Sequence, residues 1–275
     1  MIRLKYTFFL LSCGALLCGC SNDNLPGDNT GNISTQPLTI TVRDGGFHGS
    51  GDIQTRYEEI DYQTIFTAGD KIGLFAVENG ELIDNIQNLC LTAVNNGRDG
   101  IYWEMEGGRI PLSDNFSYFA YYPYLADVSN FEFYTGSDDA DNFFWEFLDG
   151  WDLFTDQSTL DKYTSQDLMI AKGSIIDNKL SFVMKHKMKL LVIDLPVSDN
   201  VMEASDVCFF NFSPYRMGDG TYHYLMHPYD DYNDLSVFVG SYTNADNVSV
   251  RWRIEPEINE EGYYRIYTID GGSAN

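Results

Sequence analysis

The residue with the clearest chemistry in this sequence is Cys20, which ends the tetrapeptide Leu17-Cys18-Gly19-Cys20. A basic N-terminus precedes an apolar run over residues 6–17, too short to span a bilayer because a spanning helix needs about 20 apolar residues. A leucine three positions before a cysteine, with a small residue next to it, is typical of a bacterial lipoprotein signal. We therefore predict a signal peptide over 1–19 and acylation of the Cys20 thiol. The alternative is an ordinary signal peptide that contains a cysteine by chance.

Other residues that could do chemistry give weaker signals. With 41 acidic residues in the chain, carboxylate pairs at glycosidase spacing arise by chance. The Asp-rich stretches at 138–141 and 230–234 could offer oxygen ligands to Ca²⁺, but neither matches a calcium loop. His223 and His227 would share one face of a strand, yet no third zinc ligand is in view. Without a nucleophile elbow, phosphate loop or dinucleotide motif in the sequence, we predict no metal, no cofactor and no enzymatic activity.

The composition indicates what kind of scaffold carries these residues. The chain has 19 Tyr and 18 Phe, and aromatic residues favour the pleated, half-buried surfaces of sheets. Many short apolar runs are separated by turn residues, and no long stretch has helical periodicity. We predict an all-β fold of the sandwich type, with one short helix near residues 151–156.

The charge and the cysteines limit the partners and the compartment. A formal net charge of −24 argues against binding to nucleic acid or to anionic lipid surfaces. Cys90 and Cys208 remain after removal of the signal and lipidation of Cys20. They could pair in an oxidising compartment, but each lies in a separate apolar run, so two separate buried thiols are favoured.

The order of segments predicts two domains behind a flexible tether. Residues 20–36 are polar and rich in Gly, Asn and Ser, which is typical of a linker. Residues 37–42 alternate strictly and predict a first strand with Leu38, Ile40 and Val42 on one face. We place an N-terminal domain over 37–198 and a short C-terminal β domain over 199–275.

Four segments resemble a known family when they are taken in order. They are Thr55-Arg56 with the run 66–76, the aromatic segment 119–124 that ends in Tyr-Pro, the Asp-Leu-Met segment 167–173, and the strand pair in 180–192. Together they resemble the fimbrillin-like proteins, the lipoprotein subunits of type V pili. The resemblance covers roughly residues 55–195.

The resemblance implies a fold, a location and a route of assembly. The fold would be two transthyretin-like β-sandwich domains of Greek-key type, and the precursor would reach the cell outer membrane through the lipid on Cys20. An Arg/Lys-specific protease would cut after Arg56, the position that matches the family's cleavage motif, and release the first strand. A strand of a neighbouring subunit would then fill the empty groove. The family also implies a fuller second domain than residues 199–275 provide, so we expect that domain to be short or incomplete.

The residues themselves are consistent with this scheme. Leu38, Ile40 and Val42 form one apolar strand between two flexible segments, with Arg56 in the second. Their removal would leave an unpaired edge that favours strand addition. The alternative is that Arg56 is an exposed arginine in a linker.

From the resemblance and this scheme we predict a structural or accessory subunit of a surface pilus, with a role in cell adhesion and a host or glycan receptor. The alternative function is a permanently anchored lipoprotein that binds glycans through exposed aromatic residues.

Overall fold

The computed structural model describes residues 39–49, 62–95, 97, 100–105, 110–196, 207–227, 237–256, 260–270 and 273–274. Strands dominate these ranges, so the predicted all-β class is confirmed. The predicted sites Cys20, Arg56 and Leu38 lie outside the described residues. No helix within the described ranges combines the length and the apolar character needed to cross a membrane.

The strands and helices are short, and they are numbered here in chain order. The strands are β1 Thr39–Asp44, β2 His48–Gly49, β3 Lys71–Glu78, β4 Glu81–Leu82, β5 Leu89–Asn95, β6 Ile101–Glu104, β7 Ser117–Tyr122, β8 Met169–Lys172, β9 Ser174–Ile176, β10 Lys179–His186, β11 Lys189–Asp194, β12 Cys208–Phe209, β13 Tyr215–Arg216, β14 Tyr222–Met226, β15 Phe238–Thr243, β16 Ser249–Ile254, β17 Tyr263–Asp270 and β18 Ser273–Ala274. The helices are α1 Ala140–Phe143, α2 Trp145–Asp149 and α3 Leu160–Thr164, and a 3₁₀ turn covers Asp84–Ile86.

The first sheet closes on itself, and β1 is the strand that closes it. The sheet runs β1-β6-β5-β3-β7-β8-β10, and β10 pairs with β1 again. Alternate residues of these strands point inward and form a buried core. This inner core contains Ile40, Ile72, Leu74, Leu91, Ala93, Trp103, Tyr118, Tyr122, Met169, Leu180, Phe182 and Met184. The ring of strands is therefore filled by side chains, and β1 contributes to the filling.

The segment between β7 and β8, residues 123–168, contains the three helices and forms an excursion that covers the outer face of the ring. Phe143 of α1 stacks on Phe119 of β7, with ring centroids 4.1 Å apart. The helix predicted near 151–156 is wrong, because the helices lie on either side of that segment. Asp139 and Thr159 accept hydrogen bonds from backbone N–H groups at the first turns of α1 and α3, and these caps fix where those helices begin. Trp151 is instead a buried loop residue whose indole N–H donates to the Gln166 carbonyl at 3.2 Å.

The second sheet, β13-β14-β11-β17-β18, separates two further cores. On β11, Leu190 and Val192 pack with the excursion, whereas Leu191 and Ile193 pack against the third sheet, β12-β15-β16. A strand buried on both faces needs apolar residues at every position, and this explains its unbroken apolar run. The boundary predicted near residue 199 falls in 197–206, outside the described residues, and the division into two domains stays a prediction.

The two remaining cysteines are free thiols. Cys90 is half-buried in β5, and Cys208 is exposed. The predicted burial is wrong for Cys208, because β12 is a two-residue strand that pairs only with β15 among the described strands.

Candidate functional site

Strand β1 fills a slot between β6 and β10. It runs parallel to β10 over six residue pairs, from Thr39 opposite Lys179 to Asp44 opposite Met184. On its other side Ile40 lies opposite Trp103 of β6, in antiparallel pairing. Strands that are far apart in sequence thus depend on β1 to complete their hydrogen bonding.

The inward face of β1 carries Ile40, Val42 and Asp44. Ile40 is 3% exposed and Val42 is half-buried, and both pack into the inner core. Thr41 and Arg43 face outward and are exposed. The apolar face predicted for the first strand is therefore directed into the ring at its two described positions, and it ends in a carboxylate.

Asp44 belongs to a buried cluster with His186 and Asp167. His186, the last residue of β10, faces Asp44 through Nε2, which lies 3.0 Å from Oδ1 and 3.1 Å from Oδ2. Its Nδ1 lies 2.7 Å from Oδ1 of Asp167. The imidazole has no exposed surface, and each carboxylate side chain is 3% exposed. The cluster therefore joins the end of β1 to the end of β10 and to Asp167, which lies just before the start of β8.

Both ring nitrogens of His186 face carboxylates, an arrangement that matches an imidazolium because both nitrogens then act as donors. Burial alone would lower the pKa of His186, but hydrogen bonds and charge from Asp167 and Asp44 outweigh it and raise the pKa to about 9. Burial alone would raise the pKa of Asp44, but the hydrogen bond and the charge of His186 outweigh it and lower that pKa. At neutral pH the cluster holds one buried cation between two carboxylates.

Backbone groups complete the cluster. The N–H groups of Gly46 and Thr64 donate to the Asp44 carboxylate at 2.8 and 2.5 Å. The Thr64 hydroxyl donates to Oδ2 of Asp167 at 3.1 Å, so Thr64 contacts both acids. Charge-assisted bonds of this kind are stronger than neutral ones, and they fix the carboxylate positions.

The segment after β1 joins the ring to the second sheet. The Phe47 ring stacks on the His186 ring with centroids 3.7 Å apart. The backbone N–H of Phe47 donates to the Tyr62 carbonyl at 3.1 Å. The N–H of His48 donates to the Gly262 carbonyl at 2.8 Å, and β2 then pairs with β17. Residues 39–49 therefore make main-chain bonds to both sheets.

This cluster was not among the sites predicted above, although the sequence holds a signal for it. Leu180, Phe182 and Met184 alternate along β10, and the same period places His186 on the inward face. A histidine that continues an apolar stripe needs buried partners, and one of them, Asp44, similarly continues the stripe of β1.

The other residues considered for metal binding have different partners. In the Asp-rich turn, Asp138 pairs with Lys172 at 2.8 Å and Asp141 with Lys187 at 2.5 Å. His223 is buried in β14 near Tyr62 and Tyr163. Within the described ranges, no group of three or more His, Cys, Asp or Glu residues is arranged to hold a metal ion.

The fold and this slot define an all-β protein whose first strand completes a ring formed by later strands. A sequence model of fimbrillin-like proteins matches residues 55–269, and the chain belongs to this family. The resemblance seen in the sequence motifs is thereby confirmed.

Proteins that are similar to this chain in sequence or fold include a fimbrial subunit and a cell adhesion protein. The chain is 29% identical to a Bacteroides ovatus protein provisionally named fimbrium tip subunit Fim1C, over 93% of this chain and 49% of that protein. A crystal structure of a fimbrial protein from B. ovatus is 26% identical with a TM-score of 0.64, covering 86% of this chain and 49% of the other. A provisionally assigned cell adhesion protein from B. ovatus shares the fold at 13% identity and a TM-score of 0.50, with 88% and 95% covered. The chain spans about half the length of the first two.

Proposed function

We propose that this chain is a subunit or accessory protein of a surface fimbrium with a role in cell adhesion. It is exported as a lipoprotein anchored in the outer membrane through Cys20, and it assembles with other subunits by strand exchange after cleavage at Arg56. Membership of the fimbrillin-like family and the fimbrial relatives support the general role. The lipid anchor, the cut and the exchange are the specific parts of the proposal, as are a host or glycan receptor and the two-domain Greek-key arrangement.

The observation that carries the proposal is the position of β1 in its slot. Arg56 follows β2 in the sequence and precedes Tyr62, the next described residue. A cut there would separate β1 and β2 from the rest of the chain. The departure of β1 would leave unpaired main-chain groups on β10 and β6 beside the space vacated by Ile40 and Val42. An unpaired sheet edge of this kind accepts an added strand.

The same cut would remove the membrane anchor, because Cys20 also lies on the N-terminal side of Arg56. Release from the membrane and readiness to assemble would therefore depend on one peptide bond. In the uncut precursor β1 would occupy the slot and prevent premature assembly.

Mass analysis of the N-terminus in cell fractions tests the proposal. We expect lipidated Cys20 in the outer-membrane precursor and Tyr57 as the first residue in sheared fimbriae. The Arg56→Ala variant should stay in the membrane fraction, and the exposed Arg251→Ala substitution serves as the matched control. Fimbriae that contain the chain still starting at Cys20 would contradict cleavage-dependent assembly.

A second candidate function is glycan binding by a permanently anchored lipoprotein. Aromatic rings on the excursion are unusually exposed: Tyr134 at 64%, Trp145 at 58% and Phe154 at 68%. Exposed aromatic faces suit sugar rings. This alternative predicts retention on a glycan array by the full chain and its loss in Trp145→Ala, with no processing at Arg56.

A further inference from the structure

The groups that line the slot also limit which strands can enter it. This inference rests on the proposed strand exchange. Of the groups around the Asp44 carboxylate, Gly46 would leave with β1, whereas His186 and Thr64 lie after Arg56 and would stay. Both remaining donors contact the same oxygen: Oδ2 of Asp44 lies 3.1 Å from His186 Nε2 and 2.5 Å from the Thr64 N–H. The vacated slot would therefore end in two donors that converge on one point.

These donors cannot easily turn to other acceptors. Asp167 holds the opposite side of the imidazole at 2.7 Å and also accepts from the Thr64 hydroxyl at 3.1 Å, so both residues are fixed in place. A strand that covers the site again would bury the His186 Nε2 proton. Leaving a buried donor without an acceptor is unfavourable, and more so when the donor is charged.

We propose that the slot selects incoming strands by their chemistry, and that a strand must place a carboxylate at the position of Asp44, opposite Met184. The two preceding inward positions, opposite Leu180 and Phe182, take apolar side chains as Ile40 and Val42 do. The partner is therefore an extended segment of a subunit, parallel to β10, with the pattern apolar-x-apolar-x-acidic.

The outward positions carry no such requirement. Arg43 faces outward and is exposed, opposite Val183, which is 39% exposed. Substitution at this position changes the charge of the strand without entering the slot. It therefore provides the matched control for substitution at Asp44.

Peptide exchange into the cleaved full-length protein tests the inference. The protein is cut after Arg56, the protease is removed, and fluorescein-labelled peptides of residues 37–47 are added. Binding is followed by fluorescence anisotropy for the native peptide, Asp44→Asn and Arg43→Gln. We expect the Asp44→Asn peptide to bind at least tenfold more weakly than the native one, and the Arg43→Gln peptide to bind within twofold of it.

The outcomes distinguish strand exchange itself from the requirement for a carboxylate. If all three peptides bind within twofold of one another, strand exchange stands and the carboxylate requirement is wrong. If no peptide binds, strand exchange itself fails, and the inference fails with it.

A double-mutant cycle locates the requirement on His186. In the cleaved His186→Gln protein, we expect the native and Asp44→Asn peptides to bind with equal affinity, because the cationic partner is gone. A preference for the native peptide that persists unchanged in this background would place the selectivity elsewhere and overturn the assigned role of His186.

Discussion

His186 Nε2 lies 3.0 Å from Asp44 Oδ1, and this contact joins residues 142 positions apart in the chain. The two residues end the parallel strands β10 and β1. Their strand pairing alone would not distinguish one alternating apolar strand from another, since main-chain bonds are common to all sequences. The charged contact gives the pairing a defined end and a defined register.

Loss of the Asp44 charge should destabilise the protein. In Asp44→Asn the buried His186 keeps a neutral acceptor but loses one of its two counter-charges, and we expect a loss of about 1–3 kcal/mol in the free energy of unfolding. Urea denaturation monitored by tryptophan fluorescence measures it. Arg43→Gln, one residue away and exposed, should change stability little. Equal midpoints for the two variants would show that the buried contact contributes nothing.

Stability should fall on the alkaline side of neutrality because of His186. Its pKa is raised from 6.5 in the unfolded chain to about 9 in the fold, so the folded state holds the proton more tightly. The contribution is complete below pH 6.5 and is lost as the pH rises through 9, which amounts to roughly 3 kcal/mol at 1.36 kcal/mol per unit. Denaturation at pH 6 to 9 measures this slope, and His186→Gln should lack it. A wild-type slope no steeper than that of the variant would disprove the raised pKa.

His223 should produce the opposite slope on the acid side. Burial lowers the pKa of His223 to about 4, against a smaller opposing effect of Asp219, so the unfolded chain binds the proton more readily. Its contribution is present above pH 6.5 and is lost as the pH falls towards 4. His223→Gln should flatten the stability curve between pH 4 and 6.5. If the variant keeps the wild-type curve, His223 is not the group responsible.

The close contact between Gly73 and Tyr121 should make a single methyl group costly. A Cβ atom at Gly73 would lie 2.0 Å from Cε1 of Tyr121. The ring cannot move aside freely, because its hydroxyl donates to Oδ1 of Asn88 at 2.7 Å. We expect Gly73→Ala to cost about 1–3 kcal/mol. Thermal unfolding of this variant and of Gly218→Ala, where a Cβ would meet nothing within 4 Å, tests the claim; equal melting temperatures would refute it.

The sequence was sufficient for local features of the fold. Alternation revealed the first strand with Ile40 and Val42 on one face, and the strand pair seen in residues 180–192 corresponds to β10 and β11. The fimbrillin-like motifs identified the family. These signals lie within a few consecutive residues, where the period of a strand determines which side chains are buried.

Features that depend on distant contacts could not be predicted. Ring closure needs β1 to meet β10, and no local pattern specifies that pairing. Lysines are almost never fully buried unless they are paired, yet Lys187 is only 3% exposed and pairs with Asp141 and Glu261. A buried ion pair looks the same in sequence as a solvated one, so the alternation along β10 indicates that His186 is buried but not which acids contact it.

Because a single strand closes the ring, the vacated slot would also limit how thick an incoming element can be. Neighbouring strands lie about 4.8 Å apart, so β6 and β10 would flank an opening about 10 Å across if they kept their places without β1. One extended chain spans that width, whereas an α-helix with side chains is about 10–12 Å in diameter and a hairpin needs a further strand spacing. The opening would thus exclude helices and hairpins by size, before any side chain is compared.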